Sequence, residues 1–505
     1  MWSYSNNRDV LYGVIALCLC AISFFSLSQR QRDVVIRRLR FQRRRPSSAR
    51  TPPRSLSPDK KVPSNSVPKA NEYAKVFPPL QREALAELAF SMPGSQRQAL
   101  GNLEFDEILF EKSLLGWEED FRKADESKYV YSGFSVKEIR ALGDFPDHAT
   151  LSGVPLPQPH HKFDIDKAMP RPYRPFRWAY HQTMSLAKMD TDYWLELEKT
   201  YRSRIVQRRA LYAEHGESVL QSLPGSELAC KELMEMSLQF LCARYPQYFS
   251  LCPSTSDPRK TVFENKILST TQVVQEKHPL LVLLDNVPED FAIMLRRPSD
   301  GYYVFRAGII CSAIGWNVGT KINKQLHEIH APIPDYKERM QFSMDRYFTK
   351  KPTNKPIQRT SWGLEVDEPL YMPPGDPHEK YRDFQCPDVS LERVHLRTDH
   401  QTLRRLPLSG AVVFNFKALF TPVTEFRDEP YIPSIILKVC HEGKENLMKY
   451  KNTWHVEHVT LPALEEYERE QKQKGLIEDN WEVRTLDEHP FYPGWEEKWH
   501  IQQGF

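Results

Sequence analysis

The stretch Leu396-Arg397-Thr398-Asp399-His400-Gln401-Thr402-Leu403-Arg404-Arg405-Leu406-Pro407 constrains this chain more than any other. It crowds charge into a segment that then turns at Ser409-Gly410 and runs into the apolar Ala411-Val412-Val413-Phe414. Guanidinium groups entering a buried strand need partners, because a buried unpaired charge is very costly. Those partners are either internal carboxylates or a bound anion. The turn at Ser409-Gly410 is expected to lead into an apolar strand from Ala411.

Around that turn the pattern alternates between helix and strand. Residues 83–110 are weakly helical, and 155–175 is Pro-rich and reads as an extended strap. Helical spacing over 192–212 brings Trp194, Leu197, Tyr201 and Ile205 to one face, and 228–245 is a second amphipathic helix. The runs 278–284, 291–297 and 302–311 read as strands, the last two joined by the tight turn Pro298-Ser299-Asp300-Gly301. Helices are expected at 320–328 and 336–348, and strands at 359–366, 391–397 and 411–420. The tail from Pro433 is helical, with a charged helix at 461–474. About six mostly antiparallel strands with helices packed on one face make an α+β plan.

The 505 residues carry a net charge of only +3, so no global polyanion partner is implied. The balance hides an asymmetry, because ten arginines and one acid lie between Arg30 and Arg54. Residues 10–27 form an uncharged apolar run just long enough to span a bilayer. The positive charge follows that run. This reads as an uncleaved single-pass anchor with the body on the cytosolic side, rather than a cleaved signal peptide. The arginines of 30–54 then rest on anionic lipid, and nucleic-acid binding is set aside. The organisation expected is a tail at 1–9, a transmembrane anchor at 10–27, a basic Ser/Pro/Arg-rich linker at 28–69, and a globular domain at 70–505 with its core at about 278–420. The eight cysteines show no Cys-x-x-Cys spacing, which argues against a zinc ribbon, an iron–sulfur cluster or covalent haem attachment.

Three blocks carry a resemblance. The segment from Leu396 to Pro407 resembles Leu-Arg-x-Glu-x-Gln-Thr-Leu-Arg-Arg-Leu-Pro, with Asp399 in place of Glu. His330-Ala331-Pro332-Ile333-Pro334-Asp335-Tyr336 resembles His-Ala-Pro-Val-Pro-Gly-Tyr, with Asp335 in place of Gly. Arg359-Thr360-Ser361-Trp362 resembles Arg-x-Asn-Trp, with Ser361 in place of Asn. In their order along the chain the blocks are similar to those of the haem-dependent oxidative N-demethylase alpha-subunit family, over roughly residues 170–495, in its membrane-anchored, fungal-type branch. The resemblance implies a PAS-like sheet holding haem b. It also implies a small amine substrate and electrons from an external flavin or iron–sulfur reductase.

Haem needs an axial ligand and basic groups for its propionates. His330 is the first candidate for the iron, with His327 one helical turn earlier as runner-up; the competing reading is a structural histidine capping carbonyls. Arg397, Arg404 and Arg405 are candidates for the propionates, since Arg binds carboxylates as a fork. The competing reading is an internal salt-bridge network with Asp399. His400 is a candidate second ligand or proton relay. Trp316, Trp362 and Tyr336 line a pocket or simply fill the core. His160 and His161, like His455 and His458, have metal-compatible spacing but no third ligand.

No Gly-x-Gly-x-x-Gly, Gly-x-Ser-x-Gly or His-Glu-x-x-His motif is present. The reading is a membrane-tethered haem-dependent monooxygenase that oxidises an N-methyl group and releases formaldehyde. The membrane expected is the endoplasmic reticulum, with a mitochondrial membrane as the alternative. The other function class is a non-catalytic PAS-like haem sensor or interaction module.

Overall fold

The computed structural model describes residues 73–100, 105–181 and 183–504, which fall in the unit Pro68–Phe505. The tail, anchor and linker expected over 1–69 lie outside the described residues. Among the described residues no helix is long and apolar enough to cross a membrane.

The α+β plan holds. The strands are β1 (Ala187–Lys188), β2 (Leu220–Ser222), β3 (Phe249–Pro253), β4 (Thr261–Asn265), β5 (Thr270–Val273), β6 (Asp290–Arg296), β7 (Tyr303–Ile309), β8 (Ile357–Val366), β9 (Val394–Arg405) and β10 (Val412–Pro422). Seven form one antiparallel sheet in the order β1-β8-β9-β10-β6-β7-β2, and β3-β4-β5 form a small second sheet. The expected turn at Ser409-Gly410 joins β9 to β10 in a hairpin that runs from Arg405 opposite Val412 to His395 opposite Pro422, and β9 extends to Arg405, well past the strand expected at 391–397.

Side chains alternate across a strand, so each strand feeds two layers. Phe291, Ile293, Leu295, Ala307, Ile309 and Val413 pack on one face against the helices Tyr201–His215, Glu227–Arg244 and Pro279–Asn286. Ala292, Met294, Phe305, Leu403, Val412 and Phe414 face the other way, beneath the helix Gln341–Lys350 and the short turns before it. The expectation of helices on one face is therefore corrected: both faces are covered. A bulge between Ile293 and Met294 lets Phe305 and Ala307 point to opposite layers although they are two residues apart. A third apolar cluster joins the far ends of β8 and β9 to the helices Ile432–Glu442 and Trp454–Gln473.

The strand expected at 278–284 is instead the helix Pro279–Asn286. Pro279 occupies its first turn, and His278 accepts the Leu280 N–H at 3.2 Å. A short unbroken apolar run does not declare its period, so the flanking cap decides.

The β9–β10 turn is held from outside the sheet. Glu232, on the buried helix Glu227–Arg244, accepts the N–H groups of Leu408 at 2.5 Å and Ser409 at 2.8 Å. Gly410 has φ 69°, and a Cβ there would lie 2.7 Å from the Tyr131 ring. Glu232→Ala leaves both buried N–H groups unpaired. The expected cost is about 2–4 kcal/mol, read as a lowered denaturation midpoint with an unchanged slope.

Candidate functional site: a cationic cavity on one face of the sheet

A cavity of about 390 Å³ opens on the face that carries Ala292, Met294, Phe305, Phe414 and Phe416. That volume falls in the usual range for small-molecule sites. Trp316, the segment around His330, the strap near Arg177 and the end of the helix Glu445–Lys451 complete its walls.

His330 follows the short helix Leu326–Ile329, and its backbone N–H donates to Leu326 O at 3.0 Å. Its Nδ1 lies 2.7 Å from the same carbonyl. A carbonyl only accepts, so Nδ1 carries the proton and Nε2 keeps its lone pair. The ring stacks on Tyr336 at 5.0 Å and 9°. Burial, reinforced by Arg359 and Lys321, pushes its pKa down to about 4, so the imidazole is neutral near pH 7. An oriented neutral imidazole with a fixed tautomer is what a metal ion takes as a ligand. Among the described residues no group of three or more His, Cys, Asp or Glu could hold a metal. His330 therefore suits a metal that brings its other ligands with it, as haem iron does. His327 is not among the cavity-lining residues.

Arg177, Lys321, Arg359 and Lys451 line the cavity, and among the described residues no Asp or Glu does. Arg359 stands opposite Gln401 on the β8–β9 ladder, and its buried Nε has no acceptor. Arg177 donates only to Thr183 Oγ1 at 3.1 Å, and Lys321 only to Ile329 O at 2.9 Å. Lys451 donates to Ser361 Oγ at 3.2 Å and Trp362 O at 2.7 Å. Burial depresses both arginines and Lys321, and Arg177 adds to the depression of Arg359. Lys451 is pushed down to about 7 by burial; Asp399 offsets this in part, while Arg359 and Arg177 add to it. Such a set, lacking carboxylates among the described residues, is chemically suited to an anion.

The arginines singled out in the sequence lie elsewhere. Arg397 pairs with Asp399 at 3.0 Å and donates to Pro369 O at 2.7 Å and to Ser312 O. Arg405 donates to Lys351 O at 2.5 Å, Gly410 O at 2.6 Å, Tyr303 Oη at 2.7 Å and Phe348 O. Both share a strand face with Gln401 but sit roughly 13 Å along β9 from it on either side. Arg404 points to the other face, 4.2 Å over the Trp194 ring, where burial holds its pKa down to about 10. His400 also faces away, stacked 4.3 Å from Tyr173, with its pKa pushed down to about 3 by burial and nearby Arg171 and Lys417. Trp316 and Trp362 do line the cavity, whereas Tyr336 supports His330 from behind. His455 contacts Asn452 O and His458 contacts Cys386 O, separate partners that give no shared ligand site.

Sequence reasoning missed Arg177, Lys321, Arg359 and Lys451. For Arg359 a signal existed, since it opens the block Arg359-Thr360-Ser361-Trp362. Lys451 carries none, because its helix joins the cavity only through the fold.

Fold and site together define an α+β protein with a small-molecule cavity, a ligand-ready histidine and an unneutralised cationic wall. The family model described as haem-dependent oxidative N-demethylase, alpha subunit-like matches residues 185–461, more than half of the chain, and the chain belongs to that family. The match contains all three motif blocks and is narrower than the 170–495 expected; Arg177 lies just before it.

Lys451 gains its proton less readily folded than unfolded. Between about 7 and its ordinary 10.5 the unfolded chain binds more protons, so without an anionic ligand stability rises with pH across that window. Lys351, also held down to about 7, contributes in the same direction. Lys451→Met is expected to flatten the rise without abolishing it, in chemical denaturation series between pH 6 and 10.

Proposed function

We propose that this protein is a haem-binding oxidoreductase that oxidatively N-demethylates a small methylated amine. The observation that carries this reading is His330, whose neutral Nε2 is aimed by the Nδ1–H bond to Leu326 O in a cavity walled by unpaired cations. The strand order supports a PAS-like sheet: the β6–β7 hairpin, a helical crossing, then β8-β9-β10 returning beside β6.

In this reading His330 supplies the axial nitrogen to haem b. Arg177 and Arg359 receive the two propionates, with Lys321 as a further cation beside His330. Guanidinium forks match carboxylates, and neither arginine has an ion-pair partner among the described residues. The cofactor supplies oxygen activation. Overall, O2, two electrons and two protons convert N–CH3 to a carbinolamine and water. The carbinolamine then moves its hydroxyl proton to nitrogen and breaks its C–N bond, giving amine and formaldehyde. The electrons come from a separate flavin or iron–sulfur reductase, since the sequence shows no nucleotide-binding motif. Phe305, Phe414, Phe416 and Trp316 keep the cavity wall apolar. The apolar run 10–27 tethers the protein to a membrane, of the endoplasmic reticulum in the first instance, with the body cytosolic.

The full-length chain expressed with haem supplied is expected to show a Soret band. His330→Ala shifts or abolishes it, Arg359→Ala weakens haem retention by roughly 10-fold or more, the loss of a charge-assisted bond, and His400→Gln leaves the band in place. An unchanged band in His330→Ala overturns the ligand assignment. Formaldehyde release with an added reductase identifies the enzyme; haem retention without turnover identifies a sensor.

A further inference from the structure

A simple methylammonium is a poor occupant of this cavity. No carboxylate lines it among the described residues, while Arg177, Lys321, Arg359 and Lys451 do. Two propionates leave part of that charge unanswered. Lys321, beside His330, and Lys451 are the cations that remain, and Lys451 is the one set against the aromatic end of the cavity. It lies on the helix Glu445–Lys451, a different element from those that carry His330 and Arg177, although Arg359 and Arg177 are near enough to act on its charge. Two of its three donors are fixed, one on Ser361 Oγ and one on Trp362 O, and the ammonium lies 5.0 Å from the Trp362 ring. The third donor has no acceptor of its own in the described residues. The one acid whose field reaches Lys451 is Asp399, and Arg397 already holds that carboxylate at 3.0 Å.

Resting on the haem reading, we propose that Lys451 binds an anionic group on the substrate, so the amine demethylated here is an N-methylated amino acid rather than a bare alkylamine. Tyr180, Tyr450 and Trp362 flank the same end of the cavity and bound the space for the substrate's side chain. The depressed proton affinity of Lys451 fits this role, because an arriving carboxylate would restore its full charge. The bonds made and broken at the N-methyl group are those given above; only the recognition of the amine is specified.

The test is equilibrium binding to the haem-loaded full-length protein, by calorimetry and haem difference spectra. The probes are sarcosine, sarcosine methyl ester and dimethylammonium chloride. Sarcosine is expected to bind at least 10-fold more tightly than the other two. Lys451→Gln should erase that preference while haem content and the Soret maximum stay those of the parent. The comparison of the three probes on the parent needs no variant and stands if Lys451→Gln fails to fold. Dimethylammonium or the ester binding as tightly as sarcosine overturns the proposal. So does a Lys451→Gln protein that loses haem as Arg359→Ala does, since Lys451 would then be a propionate anchor. A parent without haem that still binds sarcosine through Lys451 keeps the anion site and removes the haem reading, so the two failures are distinguishable.

Discussion

The guanidinium of Arg405 ties the cavity-bearing layer to the sheet. It gathers the carbonyls of Phe348 and Lys351 at the end of one helix, the Tyr303 hydroxyl of β7 and the Gly410 carbonyl of the hairpin turn. Each bond to a charged donor contributes about 1.5–3 kcal/mol when made, against a burial cost of several kcal/mol for the ion. The net stabilisation is modest. The geometric consequence is larger, because four chain segments must meet at one planar group. The helix Gln341–Lys350 is thereby fixed over Phe414 and Tyr303, and the cavity lies on the same face of the sheet.

That internal use explains why the densest arginine cluster in the chain is not the anion site. A guanidinium with every N–H on a carbonyl has no donor to spare for a ligand. Arg397 and Arg405 come close to that state, since each guanidinium nitrogen bonds an internal carbonyl, hydroxyl or carboxylate oxygen, whereas Arg359 leaves its buried Nε without an acceptor and has no ion pair among the described residues. The difference among these three is one of satisfied against unsatisfied donors, although Arg296, Arg306 and Arg404 in the same sheet also have a buried Nε without a partner. Buried polar atoms are nearly always paired in folded proteins. Arg359 Nε and Trp362 Nε1 are two such exceptions among the cavity-lining residues.

How much of this was legible beforehand depended on whether the signal was local. The turn at Ser409-Gly410, the strands β6 and β7 and their tight turn were readable because turn chemistry and two-residue alternation are written in adjacent residues, whereas the length of β9 and its pairing with β10 were not. The helix Pro279–Asn286 was not, because an all-apolar run has no period and only the His278 cap distinguishes it. The family blocks marked the neighbourhood of the cavity through His330, Arg359 and Trp362. They did not say which arginine faces it. That depends on strand register, which sets Arg359 beside Gln401 and carries Arg397 and Arg405 to the ends of the same face. Lys451 needed the whole C-terminal layer to be folded before it could be seen at all.

The departures from the family pattern are also physically placed. Asp335 stands where the pattern has glycine, and its φ of 58° shows why glycine suits that position. The strained aspartate is held by Lys444, and Asn446 approaches at 3.4 Å. Asp399, one methylene shorter than the glutamate it replaces, still reaches Arg397 two residues away on the same strand face. Ser361 replaces an asparagine and accepts from Lys451 inside the cavity. Like an asparagine amide, a serine hydroxyl can accept from the ammonium and still donate elsewhere, but its shorter side chain keeps that contact close to the strand. The first two changes preserve a backbone shape and an ion pair. The third changes the side chain that accepts from Lys451 in the cavity wall.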